Sequence, residues 1–191
     1  MTLEGCKLPR ALENPIDDVL MVTTEPLLGP LRDAGVTPNM ITAASAAASF
    51  ASVWCCFKGR PVTAAALWVL GYVFDIMDGF MARRYKLESR LGCLMDHATD
   101  LLAYAGLMAF VGWRICTMPD RILWPLWVEV VLAAGAWYHL QCQERGTAHM
   151  PIQGLNGCGC RDKAHLQWTR FLGTGTLAAW HVLLIVLFAH K

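Results

Sequence analysis

The sequence predicts an all-α, polytopic transmembrane helical bundle with an N-terminal interfacial helix, and three observations lead there. Of 191 residues, 55% are hydrophobic and only 16% charged, whereas soluble domains carry about a quarter of their residues as charged types. Five stretches, residues 40–57, 63–81, 91–113, 122–141 and 171–190, approach the roughly 20 apolar residues that a helix needs to cross hydrocarbon. These runs are apolar nearly all round, while helices of a soluble bundle alternate polar and apolar faces at a period of 3.6.

Residues 1–36 read as a cytoplasmic and interfacial segment, and residues 37–191 as the membrane domain. The first segment holds Glu4, Glu13, Asp17, Asp18, Glu25 and Asp33, too acidic for a secretory signal or a mitochondrial presequence. Insertion is therefore expected to be directed by the later apolar runs. Within it, Ile16, Leu20, Met21, Val22, Leu27 and Leu28 are interleaved with acids, the pattern of a short helix lying along a membrane surface. Thr37-Pro38-Asn39 then breaks the chain, because proline sets its own φ and restricts its predecessor.

The connections between the five runs are short and polar, except for residues 143–167. A sixth span would have to be hidden there, against Gln143, Glu144, Arg145, Arg161, Asp162 and Lys163. With the N-terminus inside, eleven Lys and Arg residues lie on the cytoplasmic side and five outside, the bias that sets topology. A net charge of +1 gives no electrostatic case for nucleic acid. Of eight cysteines, Cys55, Cys56, Cys93, Cys116 and Cys142 lie in or beside apolar runs and read as small hydrophobes. Cys158 and Cys160 read as two free thiols in a loop, since no companion CxxC or HxxxH has ligand spacing.

Four carboxylates interrupt this apolar pattern. Asp75 and Asp78 end the second run; Asp96 and Asp100 begin the third. An acid at membrane depth is costly and marks function, and four together would repel one another unless a cation joined them. Asp75 and Asp78 are spaced i, i+3, and Asp96 and Asp100 i, i+4, so each pair shares a helix face. A short loop makes the two helices antiparallel neighbours, so all four acids can converge at the cytoplasmic end. Hard oxygen donors without His or Cys suit Mg²⁺ or Mn²⁺. Four carboxylates suffice for two ions, an arrangement that serves in-line displacement at phosphorus. Between the pairs, Gly79 and Ala82 let a bulky ligand approach the backbone, Arg83 offers a planar fork for phosphate oxygens, and Gly92 removes bulk from the facing helix. Arg84, Lys86 and Arg90 read as interface anchors.

The run Asp75-Ile-Met-Asp78-Gly79-Phe-Met-Ala82-Arg83, then Gly92, Asp96 and Asp100, resembles the motif D-x2-D-G-x2-A-R-x8-G-x3-D-x3-D of the CDP-alcohol phosphatidyltransferases. All eight fixed positions match, and Thr37-Pro38-Asn39 is similar to that family's usual entry into its first span. The resemblance implies that Asp75, Asp78, Asp96 and Asp100 are metal ligands and that Asp100 is also the general base. It implies that Gly79, Ala82 and Arg83 line the CDP-alcohol site, where Gly92 is placed as well. It implies transfer of a substituted phosphate from a CDP-alcohol to an acceptor alcohol with release of CMP, in phospholipid biosynthesis. A homodimer and an integral membrane location with a cytoplasmic active site are also implied, in the endoplasmic reticulum if the source is eukaryotic. One departure is the span count, five where the family commonly has six.

Length favours CDP-diacylglycerol as donor, while the dipeptide Asp96-His97 leans toward CDP-choline or CDP-ethanolamine; a histidine that hydrogen-bonds a neighbour explains His97 equally well. Glu129 reads as a buried partner for a polar group. Arg170 beside Trp168 reads as an interfacial anchor, with capture of an anionic acceptor or lipid phosphate as the alternative. His139, His149, His165, His181 and His190 form no spaced cluster, and Trp124, Trp127, Trp137 and Trp180 read as belt or packing residues. A transporter should show repeats and broken helices near the midplane, whereas these acids lie toward one face. A prenyltransferase of the aspartate-rich membrane class should resemble D-x3-D motifs on separate helices.

Overall fold

Prolines and capping side chains decide where the helices begin. The computed structural model describes residues 4–6, 8–117, 123–146 and 163–189, and among these there is no strand. A 3-10 turn at Arg10–Leu12 is followed by α1 (Pro15–Asp33), α2 (Pro38–Phe57), α3 (Pro61–Arg84), α4 (Arg90–Thr117), α5 (Trp124–Gly146), α6 (Lys163–Thr169), a 3-10 turn at Arg170–Leu172 and α7 (Thr174–Phe188). Pro15, Pro38 and Pro61 occupy first helical positions, where the missing N–H costs nothing and the fixed φ suits the helix. The Asn14 side chain accepts from the Ile16 N–H at 3.0 Å, and Thr37 Oγ1 accepts from the Met40 N–H at 3.3 Å. Each satisfies an orphan donor of the first turn. Gly35 and Gly59, with φ of +83° and +65°, stop α1 and α2 in the left-handed conformation that glycine adopts freely.

Helices α2 and α3 pack along their length through small residues. Ser45 Oγ donates to the Gly71 carbonyl at 2.9 Å and Ser52 Oγ to the Ala64 carbonyl at 2.7 Å. A Cβ on Gly71 would collide with Ser49 Oγ, so the close approach requires glycine there. This is the packing mode of helices in hydrocarbon, where small residues and interhelical hydrogen bonds replace the hydrophobic drive. Away from the acids, Trp68, Leu107, Phe110, Val111, Leu184 and Ile185 form an apolar core. Nearer them, Met21, Leu28, Ile41, Met77, Phe80 and Met81 form a second. The outer surface is apolar too: Trp54, Val62, Leu101 and Val131 are all more than half exposed, as expected of groups facing lipid.

Among the described residues, three helices are long and apolar enough to cross a membrane: Pro38–Phe57, Pro61–Arg84 and Leu166–Phe188. This is fewer than the five spans expected. The expected third and fourth runs do form α4 and α5, of 28 and 23 residues. They fall outside the set because Arg90, Asp96, Asp100 and Arg114 in α4, and Glu129, Glu144 and Arg145 in α5, dilute their apolar character. The last span starts five residues before the expected 171, and the 3-10 turn at Arg170–Leu172 interrupts it. A sixth span within 147–162 lies outside the described residues, as do Cys158 and Cys160. Cys142, expected to be an apolar thiol, is disulfide-bonded instead; sequence position gives no sign of a partner brought near by folding.

The segment expected to form an interfacial helix is helical, as α1, and is docked on the bundle. Asp17, Met21, Thr24 and Leu28 form one buried stripe along it, with the spacing of a single helix face. Asn14 Nδ2 donates to the Arg170 carbonyl at 2.6 Å and to Thr176 Oγ1 at 2.9 Å. Tyr72 donates to Asp17 Oδ1 at 2.5 Å and Thr174 to Asp17 Oδ2 at 3.1 Å. Asp17 thereby ties α1 to both α3 and α7. A Cβ on Gly175 would run into the side chains of Asn14, Ile16 and Asp17, so this contact too depends on a glycine.

Burial pushes the Asp17 carboxyl above its usual range, with hydrogen bonds from Tyr72, Thr174 and the Gly175 N–H pulling the other way. The folded chain thus holds this proton more tightly than the unfolded chain. Its contribution to stability is complete below the unfolded value of about 3.9 and is lost as pH rises through the folded value. Asp17→Leu should cost about 1–3 kcal/mol, the penalty for stranding buried hydroxyl donors, read as a lower melting temperature in detergent. Asp17→Asn should flatten the pH dependence of melting above pH 4. A melting temperature unchanged in Asp17→Leu would remove the latch from the account.

Candidate metal centre

The end of α3 and the start of α4 are shaped by one tight turn. Lys86 adopts φ +56°, and the Leu87 N–H closes back on the Ala82 carbonyl at 2.8 Å, a left-handed cap that stops α3. Ser89 Oγ then accepts from the Gly92 N–H at 3.0 Å and starts α4. The chain reverses within five residues, so Asp75 and Asp78 return to the level of Asp96. Helices α3 and α4 both lie on α2, and their backbones barely approach one another. The two helices meet through side chains instead: Asp75 and Asp96 lie within hydrogen-bonding reach of one another, and Trp68 of α3 shares a core with Leu107 and Phe110 of α4.

One carboxylate oxygen from each of Asp75, Asp78 and Asp96 lies within 4.8 Å of the others. Asp78 is 5% exposed, and its Oδ2 is buried with no hydrogen-bond partner. Thr42 of α2 and the Gly79 N–H are within hydrogen-bonding reach of the same carboxylate. Asp100 lies one turn further along α4, outside the group of three and exposed, although its charge still bears on Asp75. Three oxygen donors converge, and a buried carboxylate oxygen has no protein donor, which carries a large desolvation cost. This donor set fits a hard divalent cation, as the resemblance implies.

The small residues have explicit neighbours. A Cβ on Gly79 would come within 3.0 Å of Arg83 Nη1, so the arginine folds back over the glycine toward Asp78. Ala82 is half-buried beside it. Arg83 Nε donates to the Gly5 carbonyl at 2.8 Å, and Glu13 is the largest charge favouring its cationic form. The N-terminal segment therefore orients this guanidinium. A Cβ on Gly92 would meet Asn39 Oδ1 at 2.6 Å and Ser89 Oγ at 2.9 Å. Gly92 thus admits the first turn of α2 against the first turn of α4.

Asn39 and Thr42 are neighbours of the site that sequence reasoning passed over. Asn39 stands out in the sequence only as part of the Thr37-Pro38-Asn39 entry to the first span, and a threonine one turn into an apolar run carries no signal of its own. Cys6 and Glu13 beside Arg83 were equally silent, because only folding brings residues 5–13 to the end of α3. Among the other residues weighed, Arg84, expected to be an interface anchor, pairs with Glu25 of α1 at 2.6 Å. His97 Nδ1 lies 2.9 Å from the Cys93 carbonyl, the neighbour hydrogen bond anticipated for it. Arg170 Nη1 donates to the Ala11 carbonyl at 2.6 Å and its guanidinium lies over Phe171. It borders a cavity of about 320 Å³ shared with Ala11, Gln167 and Trp168.

Comparison with known proteins bears on the same residues. Residues 35–146 match the family model described as CDP-alcohol phosphatidyltransferase, a range that contains both acid pairs. The chain is 38% identical over 56 residues to a CDP-diacylglycerol–glycerol-3-phosphate 3-phosphatidyltransferase of Sodalis glossinidius, covering 29% of this chain and 31% of that protein. It is 39% identical over 54 residues to a CDP-diacylglycerol–inositol 3-phosphatidyltransferase of Saccharomyces cerevisiae, covering 28% and 24%. It is 30% identical over 102 residues to a phosphatidylinositol phosphate synthase of Mycobacterium marinum, covering 52% and 44%. The chain thus spans less than half the length of these curated relatives. No solved structure matches. With the family model covering more than half of its length, the chain belongs to the CDP-alcohol phosphatidyltransferase family, a family of transferases acting at membranes.

Proposed function

We propose that this protein transfers a substituted phosphate from a CDP-alcohol, with CDP-diacylglycerol the favoured donor, to a small polar alcohol, releasing CMP. The observation that carries the reading is the convergence of Asp75, Asp78 and Asp96 oxygens within 4.8 Å around a buried, unpartnered Asp78 oxygen. The names of the relatives support the donor, since two of them are CDP-diacylglycerol-dependent enzymes.

Asp75, Asp78 and Asp96, with Asp100, would hold Mg²⁺ or Mn²⁺, two ions in all. Bound there, such ions neutralise diphosphate charge and stabilise the departing CMP. Gly79 and Ala82 would line the cytidine diphosphate site with little side chain of their own, Arg83 folding over Gly79, and Gly92 would shape it by admitting Asn39 of α2 against the first turn of α4. Arg83, oriented from behind by Gly5, presents its remaining N–H groups to phosphate oxygens. Asp100 accepts the proton of the acceptor hydroxyl. That oxygen then forms a bond to the phosphorus bearing the lipid alcohol, and the P–O bond to CMP breaks. A carboxylate clamped on a cation is a poor base; Asp100, outside the tight group, is the best placed of the four to act as one.

The same reading gives a multi-pass protein with its site on the cytoplasmic face, in the endoplasmic reticulum for a eukaryotic source, and a homodimer as the working form.

Purified protein in lipid, given CDP-diacylglycerol, Mg²⁺ or Mn²⁺ and a panel of alcohols, should release CMP with one acceptor. Chelation with EDTA should stop the reaction and added cation restore it. Asp100→Asn should lower turnover by about a hundredfold or more, the usual contribution of a positioned base; near-full turnover would remove it from that role. Gly92→Val should raise KM for the donor by displacing Asn39, and an unchanged KM would free Gly92 from the site.

A further inference from the structure

His181 of α7 reaches three other helices from one position inside the bundle. Its Nε2 lies 3.2 Å from Glu129 Oε1 of α5, with both side chains 5% exposed. Its ring meets Trp68 of α3 edge-on at 5.3 Å and lies 5.6 Å from Tyr104 of α4. The Tyr104 hydroxyl in turn faces the Glu129 carboxylate, whose Oε2 is buried without a partner. Ionisable groups this deep among apolar residues mark function by default.

Their position relative to the acids gives them a task. Tyr104 lies one helical turn beyond Asp100 on α4, and Trp68 lies two turns before Asp75 on α3. The backbones of α3 and α4 approach one another at few points, so the distance between Asp75 and Asp78 on one side and Asp96 on the other depends also on what packs between and beside the two helices. Helix α2 is one such element, through Thr42 and Asn39. The ring of His181, wedged between Trp68 and Tyr104, is another.

We propose that His181, held in place by Glu129, is a positioning residue that keeps α3 and α4 at the separation where Asp75, Asp78 and Asp96 share a cation. The inference rests on the cation reading given above. Outer residues that orient metal ligands typically change metal affinity by about 10- to 100-fold when removed. This pair sits further out, so an effect at the lower end is expected.

The test is direct Mn²⁺ binding by electron paramagnetic resonance, on the full chain in lipid nanodiscs, beside CMP release. His181→Ala and Glu129→Leu should each weaken Mn²⁺ binding about tenfold, with kcat recovered at saturating Mn²⁺. Glu129→Gln, which keeps the hydrogen-bond partner, should bind within about twofold of wild type on the same scale. If His181→Ala does not fold, His181→Phe and Tyr104→Phe take its place, each expected to weaken binding by a smaller factor in the same direction. Wild-type Mn²⁺ affinity in the folded variants would overturn the proposal. Mn²⁺ binding absent from the wild type itself would instead sink the cation reading, and the inference with it, before any variant is needed.

Discussion

Carboxylates that cannot spread their charge into water must find a counter-charge nearby, and that constraint organises this molecule. Asp75, Asp78 and Asp96 place oxygens within 4.8 Å of one another, where like charges repel strongly in a poorly polarisable surrounding. A fold that keeps them there has to resist that repulsion with rigid packing. The close α2–α3 pairing through Ser45, Ser52 and Gly71 supplies rigidity on one side. The glycine contact of Gly92 with Asn39 supplies it at the start of α4.

The N-terminal segment belongs to the same design. Its acids first read as evidence against a targeting signal, yet Asp17 and Asn14 are buried and hydrogen-bonded against α3 and α7. The Gly5 carbonyl accepts from Arg83 Nε. The N-terminal segment thus helps place the arginine that folds over Gly79.

Several polar groups inside the bundle are engaged with another helix. Serine hydroxyls of α2 bond carbonyls of α3, His139 of α5 bonds Thr169 of α6 at 3.0 Å, and His181 bonds Glu129. In an apolar surrounding such pairs choose which faces meet, because the alternative is an unsatisfied polar group. The histidines had formed no pattern along the chain, since their partners are 30 and 52 residues away.

Much of this was legible in the sequence because it depends on local spacing. Helical character, the existence of α1, the helix starts at Pro15, Pro38 and Pro61, and the two pairs of acids on shared faces all follow from periodicities within one or two turns. The number of spans was overestimated, because α4 and α5 look apolar by composition while their charged residues lower their claim to a place in hydrocarbon. Tertiary structure alone decided what depends on distance through space. It made α3 and α4 meet through side chains with few close backbone approaches, left Asp100 outside the tight group of three, and brought Thr42, Asn39 and Gly5 to the site. No pattern along a chain encodes such proximities, since they arise from how whole helices pack.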